Sequence, residues 1–426
     1  MVGDIFRYIV LFIFYYFIMQ NFQLHQQPID CEALPFPTAK APELINLLVS
    51  QLPPCWQQTA SIALLPALAT AASGVTYCNY RPLAFHVAVF GLAGSGKSQF
   101  TCRPAQLVQD FVARFDSLYR QDNSKCPKLI GFETSIVQLS KYLQRSKGEM
   151  TMLYTDEISQ AVGNNNGFLQ LQPILRKGFD GISHTMDYKD KDSFRGTIKP
   201  RISFLACGTP DTLFKYFDKK AIEEGTTRRV IFVQHPTCEQ EVQQIAFSKE
   251  QWDAITQEIE FLEQQHTDLN IPEINDYVIK WKQKHKKKLQ GNTVAQLMLN
   301  TPADVLQRAS YLAYLLNHFT RLTDALAFGT WIAEYMLRAA INLTFKAQEK
   351  IAQEGEKYFT ESTQKICENF NEKMLQELPQ QFKFQDVIDY RKKNEYSGDA
   401  CNPNIVSRWI KRNQIKVITK GFYQKL

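Results

Sequence analysis

Gly91-Leu-Ala-Gly-Ser-Gly-Lys-Ser98 constrains this chain more than any other stretch. It fills every set position of G-x-x-x-x-G-K-[ST] between an apolar run, Phe85–Phe90, and a helical pattern that opens at Gln99. A strand feeding a glycine-rich turn feeding a helix lets successive backbone N–H groups converge on one anion, with the helix N-terminus behind them. Gly94 and Gly96 give the turn its freedom, and Gly91 and Ser95 belong with them to the set expected to bind the nucleotide. Lys97 is placed to reach the β- and γ-phosphates of a nucleoside triphosphate, and the Ser98 hydroxyl to ligate Mg²⁺. No N-K-x-D loop for reading guanine follows, so ATP with Mg²⁺ is the expected ligand pair.

The segment around this loop alternates strand and helix. Pro42 to Ala72 carries two helical patterns, the second through Trp56, Ile62, Leu64, Leu65, Leu68 and Ala71, stopping at Gly74. After the loop a helix is interrupted at Pro104, Lys128–Phe132 is a short strand candidate, and Thr134 or Ser135 caps the helix bearing Ile136, Leu139 and Leu143. Thr151–Thr155, Ile202–Ala206 and Val230–Val233 are further apolar runs of strand length. Such alternation predicts an α/β fold, a P-loop NTPase with a parallel sheet flanked by helices. Long helical patterns then take over, at Gln307–Phe319 and Gly329–Lys346. The expected domains are an apolar segment and linker over 1–40, a P-loop ATPase domain with its helical lead-in over 41–238, a helical region over 239–380, and a small module over 381–426.

Triphosphate hydrolysis needs an acidic element at a neighbouring strand tip. Met152-Leu-Tyr-Thr-Asp-Glu157 fits, with Asp156 on the metal side and Glu157 as general base, the order used by hydrolysing machines of the RecA and AAA+ kind. Thr209, after the Ile202–Ala206 run, stands where such folds keep a polar γ-phosphate sensor; the Thr-Pro turn equally suits a helix cap. Glu224-Gly-Thr-Thr-Arg-Arg229 precedes a strand as arginine-finger segments do, making Arg228 and Arg229 candidates to stabilise the transferred phosphoryl group from a neighbouring subunit. Pairing of one of them with Glu223 or Glu224 is the competing reading.

From about residue 40 to 350 the sequence resembles an uncharacterised P-loop family, a domain of unknown function met in replication contexts of phages and mobile elements and often labelled helicase- or primase-like. The resemblance rests on the helical lead-in, Gly91–Ser98, Pro104, Asp156-Glu157, Phe179-Asp-Gly181, the Pro200-to-Thr209 segment and Gly225 to Arg229. It implies an ATP-hydrolysing protein, helicase-like or replication-associated. No zinc ribbon or acidic primase cluster accompanies these motifs.

The last segment reads as helix, helix and β-wing, a winged-helix pattern in which Arg408, Lys411 and Arg412 on the second helix and Lys416 and Lys420 on the wing would contact DNA. Residues 380–426 hold ten Lys and Arg against four Asp and Glu, a net +6 that equals the excess of the whole chain. Localised basic excess is the electrostatic footprint of nucleic-acid binding, although winged helices also serve protein contacts. Lys280–Lys288, six lysines in nine positions, suits a solvated helix face or a weaker DNA-tracking surface. The expectation is a Mg²⁺-dependent ATPase acting on DNA as a homo-oligomer; the alternative is a nucleotide-switched DNA-binding or assembly regulator without motor activity. Nine scattered cysteines without C-x-x-C suit reduced thiols and a cytoplasmic location. The unbroken apolar run Tyr8–Met19 would extend only ~18 Å as a helix against a ~30 Å bilayer core. Initiation at Met19, a docked or interfacial segment, and a weak membrane anchor through residues 5–19 stay open, the first two fitting better.

Overall fold

The computed structural model describes residues 35–158, 167–187, 195–210, 212, 216, 217, 225–236, 245–289, 296, 298–340, 373–394 and 404–426. The apolar segment 5–19, Glu223, Glu224 and most of the connector from 350 lie outside these residues. The chain divides into two compact units, one through Thr344 and the other from Phe345.

In the first unit, α1 (Glu43–Val49) and α2 (Pro54–Ala71) precede β1 (Val75–Tyr77), β2 (Arg81–Pro82) and β3 (His86–Phe90). A π-helical turn, Lys97–Thr101, leads into α3 (Arg103–Val112), α4 (Asp116–Asp122), β4 (Leu129–Gly131), α5 (Ile136–Arg145) and β5 (Thr151–Thr155). Then come α6 (Gly167–Asp180), the hairpin β6 (His184–Asp187) and β7 (Arg195–Ile198), β8 (Ile202–Gly208) and β9 (Val230–Gln234). The unit closes with α7 (Lys249–Gln264), β10 (Thr267–Leu269), α8 (Pro272–Lys288), α9 (Asn300–Leu316) and α10, helical over 322–340.

Five strands form one all-parallel sheet in the order β4-β5-β8-β3-β9, flanked by helices. Parallel strands covered on both faces carry unbroken apolar runs, and all seven residues of β8 are buried. The register aligns Phe90 of β3 with Gly208 of β8 and with Gln234 of β9, so three strands end level. α2 has no segregated polar face, and residues 59–72, with Thr59, Ser61 and Thr70 among them, are buried without interruption, as such a helix requires. Each fully buried Leu or Ile there contributes about 1.5–3 kcal/mol.

The helical segment that follows β9 is not a separate body. One continuous hydrophobic core runs from Leu44 through the sheet to Ala339, taking in Ile255, Ile259 and Leu262 of α7 and Leu312 and Leu316 of α9. β10 also pairs in parallel with β1, stitching Thr267–Leu269 to Val75–Tyr77. Two helix bounds differ from the sequence pattern. α9 starts seven residues before Gln307, at Asn300, because Pro302 falls in its first turn, where N–H groups are unpaired anyway. Gly329 lies inside α10 instead of opening it, since a Cβ there would collide with Ser310 Oγ of α9. Of the two candidate caps for α5, Ser135 accepts from the Gln138 N–H.

The second unit holds helical residues 373–377, β11 (Gln381–Lys383), α11 (Phe384–Lys393), α12 (Asn404–Lys411), β12 (Ile415–Thr419) and β13 (Phe422–Lys425). Its antiparallel sheet has the order β11-β13-β12. Met374 and Leu378 are buried in its core with Phe382, Val387, Trp409 and Ile415. The unit therefore takes in residues on the connector side of position 381. Among the described residues no helix is long and apolar enough to cross a membrane.

Candidate functional site

The glycine-rich turn leaves the C-terminal end of β3, an interior strand, and open parallel sheets form their ligand crevices at such ends. Gly94 and Gly96 take φ of 74° and 83°, a left-handed backbone that residues with a Cβ adopt only with strain. The Gly91 N–H donates to the Gly208 carbonyl (3.2 Å), fastening the mouth of the turn to β8. Lys97 is buried, and its ammonium donates to the carbonyls of Gly91 (3.0 Å) and Leu92 (2.8 Å), closing the turn on itself. Charged hydrogen bonds of this kind contribute about 1.5–3 kcal/mol and are exchangeable for phosphate oxygens. Ser98 is half-buried in the π turn. The Cys102 N–H reaches the Lys97 carbonyl (2.9 Å), and Pro104 sits in the first turn of α3, which explains the interruption expected there.

β5 lies beyond β8 from β3, so two strand spacings, about 10 Å, separate its tip from the base of the turn. Asp156 is exposed at that tip and Glu157 is half-buried. The Thr155 hydroxyl donates to the Glu157 carbonyl (2.9 Å) and accepts from its N–H (3.3 Å), which fixes the backbone that presents the carboxylate. Glu157 Oε1 and Ser95 Oγ are buried and have no hydrogen-bond partner among the described residues. A carboxylate oxygen left in this state suits a hard cation or water, and a hydroxyl suits water or a phosphate oxygen.

Thr209 Oγ1 accepts from the Thr212 N–H (3.4 Å), as a helix cap does, and the Thr209 N–H donates in return to Thr212 Oγ1 (2.9 Å). The two candidate arginines diverge. Arg229 holds Asp180 through Nη2 (2.6 Å) and Nε (3.3 Å) and the Gly225 carbonyl through Nη1 (2.7 Å). Arg228 is exposed. Gln172 and Arg176 of α6 add hydrogen bonds to Thr226 Oγ1 at 3.2 and 2.9 Å. With Asp180 they stand four residues apart, a polar stripe down one helix face that grips the arginine turn. That stripe was readable in the sequence once α6 was drawn as a helix, and its Asp180 partners Arg229; Glu223 and Glu224, the partners of the competing reading, lie outside the described residues.

Sequence reasoning also passed over His235, which follows β9 directly. Its ring contacts the Ser95 carbonyl through Nε2 (2.8 Å) and Thr101 Oγ1 through Nδ1 (2.7 Å). A lone histidine after an apolar run carries no motif, and only the sheet order brings it to the turn. Behind the turn, Cys102 Sγ and Cys207 Sγ lie 3.1 Å apart, both buried. Their hydrogen bond, with burial, holds the Cys102 thiol well above its usual pKa, so it stays protonated and packs as a small apolar group.

In the second unit Ile405, Val406 and Trp409 bury one face of α12, leaving Arg408 and Lys411 on the other, with Arg412 exposed just past its end. Lys416 on β12 and Lys420 in the turn before β13 are also exposed. In α8, Trp281 and His285 face inward and bond Glu334 at 3.3 and 2.7 Å, and Lys280, Lys282, Lys284, Lys286 and Lys287 are exposed.

No protein family and no curated protein matches the sequence. Among solved structures the chain is similar to SCCmec type IV Cch, an active helicase, with a TM-score of 0.34 and 13% identity over 94% of this chain and 73% of that one.

Proposed function

We propose that this chain is a Mg²⁺-dependent ATPase that acts on DNA, helicase-like or replication-associated in a mobile element. The observation that carries the reading is the β3 turn itself. Left-handed Gly94 and Gly96 and a buried Lys97 stand at the end of a parallel sheet that also bears Asp156 and a Glu157 carboxylate oxygen with no partner among the described residues.

In this reading Lys97 exchanges its two carbonyl partners for β- and γ-phosphate oxygens, and the Ser98 hydroxyl and Asp156 would hold Mg²⁺, which would supply charge neutralisation at the phosphates. Glu157 Oε1 accepts a proton from the attacking water, a role that suits a carboxylate oxygen with no donor among the described residues. Arg228, outside the Asp180 pairing that occupies Arg229, is the guanidinium to extend toward a neighbouring copy in a homo-oligomer. The strand, helix, helix, strand, strand order of the C-terminal unit and its β11-β13-β12 sheet support a winged helix. Its α12 enters a groove with Arg408, Lys411 and Arg412 toward DNA, and Lys416 and Lys420 flank it on the wing.

The test is ATP turnover with and without single-stranded and duplex DNA, for wild type, Lys97→Ala, Glu157→Gln and a chain ended before residue 373, the cut that removes the small core whole. Lys97→Ala loses binding and turnover, Glu157→Gln keeps binding and loses turnover, and the shortened chain keeps basal turnover and loses its response to DNA. Tight DNA binding without stimulated turnover or strand displacement would replace the motor with a nucleotide-switched regulator. Normal hydrolysis by Glu157→Gln would remove that residue as the base.

A further inference from the structure

The Ser95 carbonyl can only accept, so His235 Nε2 must carry the ring proton, and Nδ1 then accepts from the Thr101 hydroxyl. One imidazole thus grips the phosphate turn on both sides of Lys97-Ser98. The ring is itself held from several directions. The His235 N–H donates to the Phe90 carbonyl (2.7 Å), and the Trp56 indole stacks at 5.2 Å from it and at 4.6 Å from Phe100. The Trp56 Nε1–H donates to the Pro236 carbonyl (2.9 Å). Thr59, also on α2, places its hydroxyl 3.1 Å from that of Thr101. Burial, and the nearby Lys97 ammonium, lower the His235 pKa and keep the ring neutral, the state in which this tautomer exists.

A trans peptide aims its C=O and N–H in opposite directions. Holding the Ser95 carbonyl on the ring therefore also fixes the Gly96 N–H, turned away from His235. Gly96 is partly exposed, and its N–H has no acceptor among the described residues. We propose that His235 is a positioning residue for the phosphate turn: its Nε2–H locks the Ser95–Gly96 peptide so that the Gly96 N–H is preset to donate to a phosphate oxygen. The proposal rests on the nucleotide-binding reading of Gly91–Ser98, and it gives the helical lead-in a task, since α2 supplies the wall against which the ring is pressed.

Three substitutions separate the two ring bonds. A glutamine amide reaches about as far as Nε2 and an asparagine amide about as far as Nδ1, while phenylalanine keeps only the stacking. The affinity of the full-length chain for a fluorescent ATP analogue with Mg²⁺ is measured alongside thermal unfolding of the nucleotide-free protein. His235→Gln is expected within ~3-fold of wild type, and His235→Asn and His235→Phe ~10-fold weaker, a change of about 1.4 kcal/mol. The ranking should hold whatever the order of melting temperatures, which a purely structural role would not give. Should His235→Phe fail to fold, the Gln and Asn pair decides alone. Equal affinity across the series, or a loss in His235→Gln as large as in His235→Asn, overturns the proposal. Lys97→Ala separates the two levels. If it binds the analogue as wild type does, the nucleotide reading falls and this proposal with it; if it loses binding while the His235 series is flat, only His235 falls.

Discussion

The Gly91–Ser98 end of the large unit and the outer face of α12 both carry cations, yet they are built by opposite rules. At the turn, Lys97 is buried and its ammonium is bonded to two carbonyls, and Ser95 is held by His235. On α12, Arg408 and Lys411 extend into water from a helix whose only anchored face is apolar. A site that must distinguish a transition state from a ground state needs charge fixed in a dry place before the substrate arrives. A surface that must let go of one phosphate and take the next is better served by hydrated cations whose attraction salt can tune.

Substitutions that break the contrast should differ by orders of magnitude. The largest effect belongs to the arginine turn: Arg228→Ala is expected to lower turnover ~10³-fold with nucleotide affinity unchanged. Arg229→Ala should instead lower thermal stability, because it strands Asp180, and steady-state kinetics beside calorimetry tell the two apart. Next, Glu157→Gln should cut turnover by at least ~100-fold with binding retained, read in single-turnover assays. Reversing Arg408, Lys411 and Arg412 to Glu should weaken DNA binding by ~10-fold or more. It should also flatten the slope of log affinity against log salt by about one for each phosphate left unneutralised, with DNA-free turnover intact.

The same contrast extends to pH. His86 is buried at the start of β3 with Nε2 on the Ile202 carbonyl (3.0 Å), and burial pushes its pKa down to about 3. The unfolded chain binds that proton near pH 6.5 and the folded chain does not, so stability falls as pH drops from about 6.5 toward 3, by about 1.4 kcal/mol per unit. Denaturant titrations from pH 7 to 4 should show this slope, and His86→Phe should flatten it. The smallest effect is expected at Lys284→Ala on the exposed face of α8, within about 0.5 kcal/mol of wild type by chemical denaturation.

The parallel sheet was legible in the sequence because buried parallel strands announce themselves as apolar runs, and the phosphate turn because its glycines have no cheaper substitute. β1, β2 and β10 were not, being two or three residues long and, in the case of β1 and β10, joined across the chain, Val75 to Thr267. The hairpin of β6 and β7, four residues to a strand, interrupts the strand and helix alternation, so no pattern announced it. Gly329 looked like a boundary because a glycine's packing role against Ser310 exists only once two helices meet. Within the candidate site, motif logic singled out Lys97, Asp156 and Glu157. The bonds between Thr209 and Thr212 and the pairing of Arg229 with Asp180 were not readable, because hydrogen-bond partners are a property of three dimensions.

The buried helix α2 also bears on how this protein is made. Pro54–Ala71 leaves the ribosome well before Val230–Gln234, so the helix that lines the sheet exists for a time without the strand that completes that sheet. Chaperone shielding of this segment until Val230–Gln234 emerges is expected to raise the yield of folded protein in a foreign host.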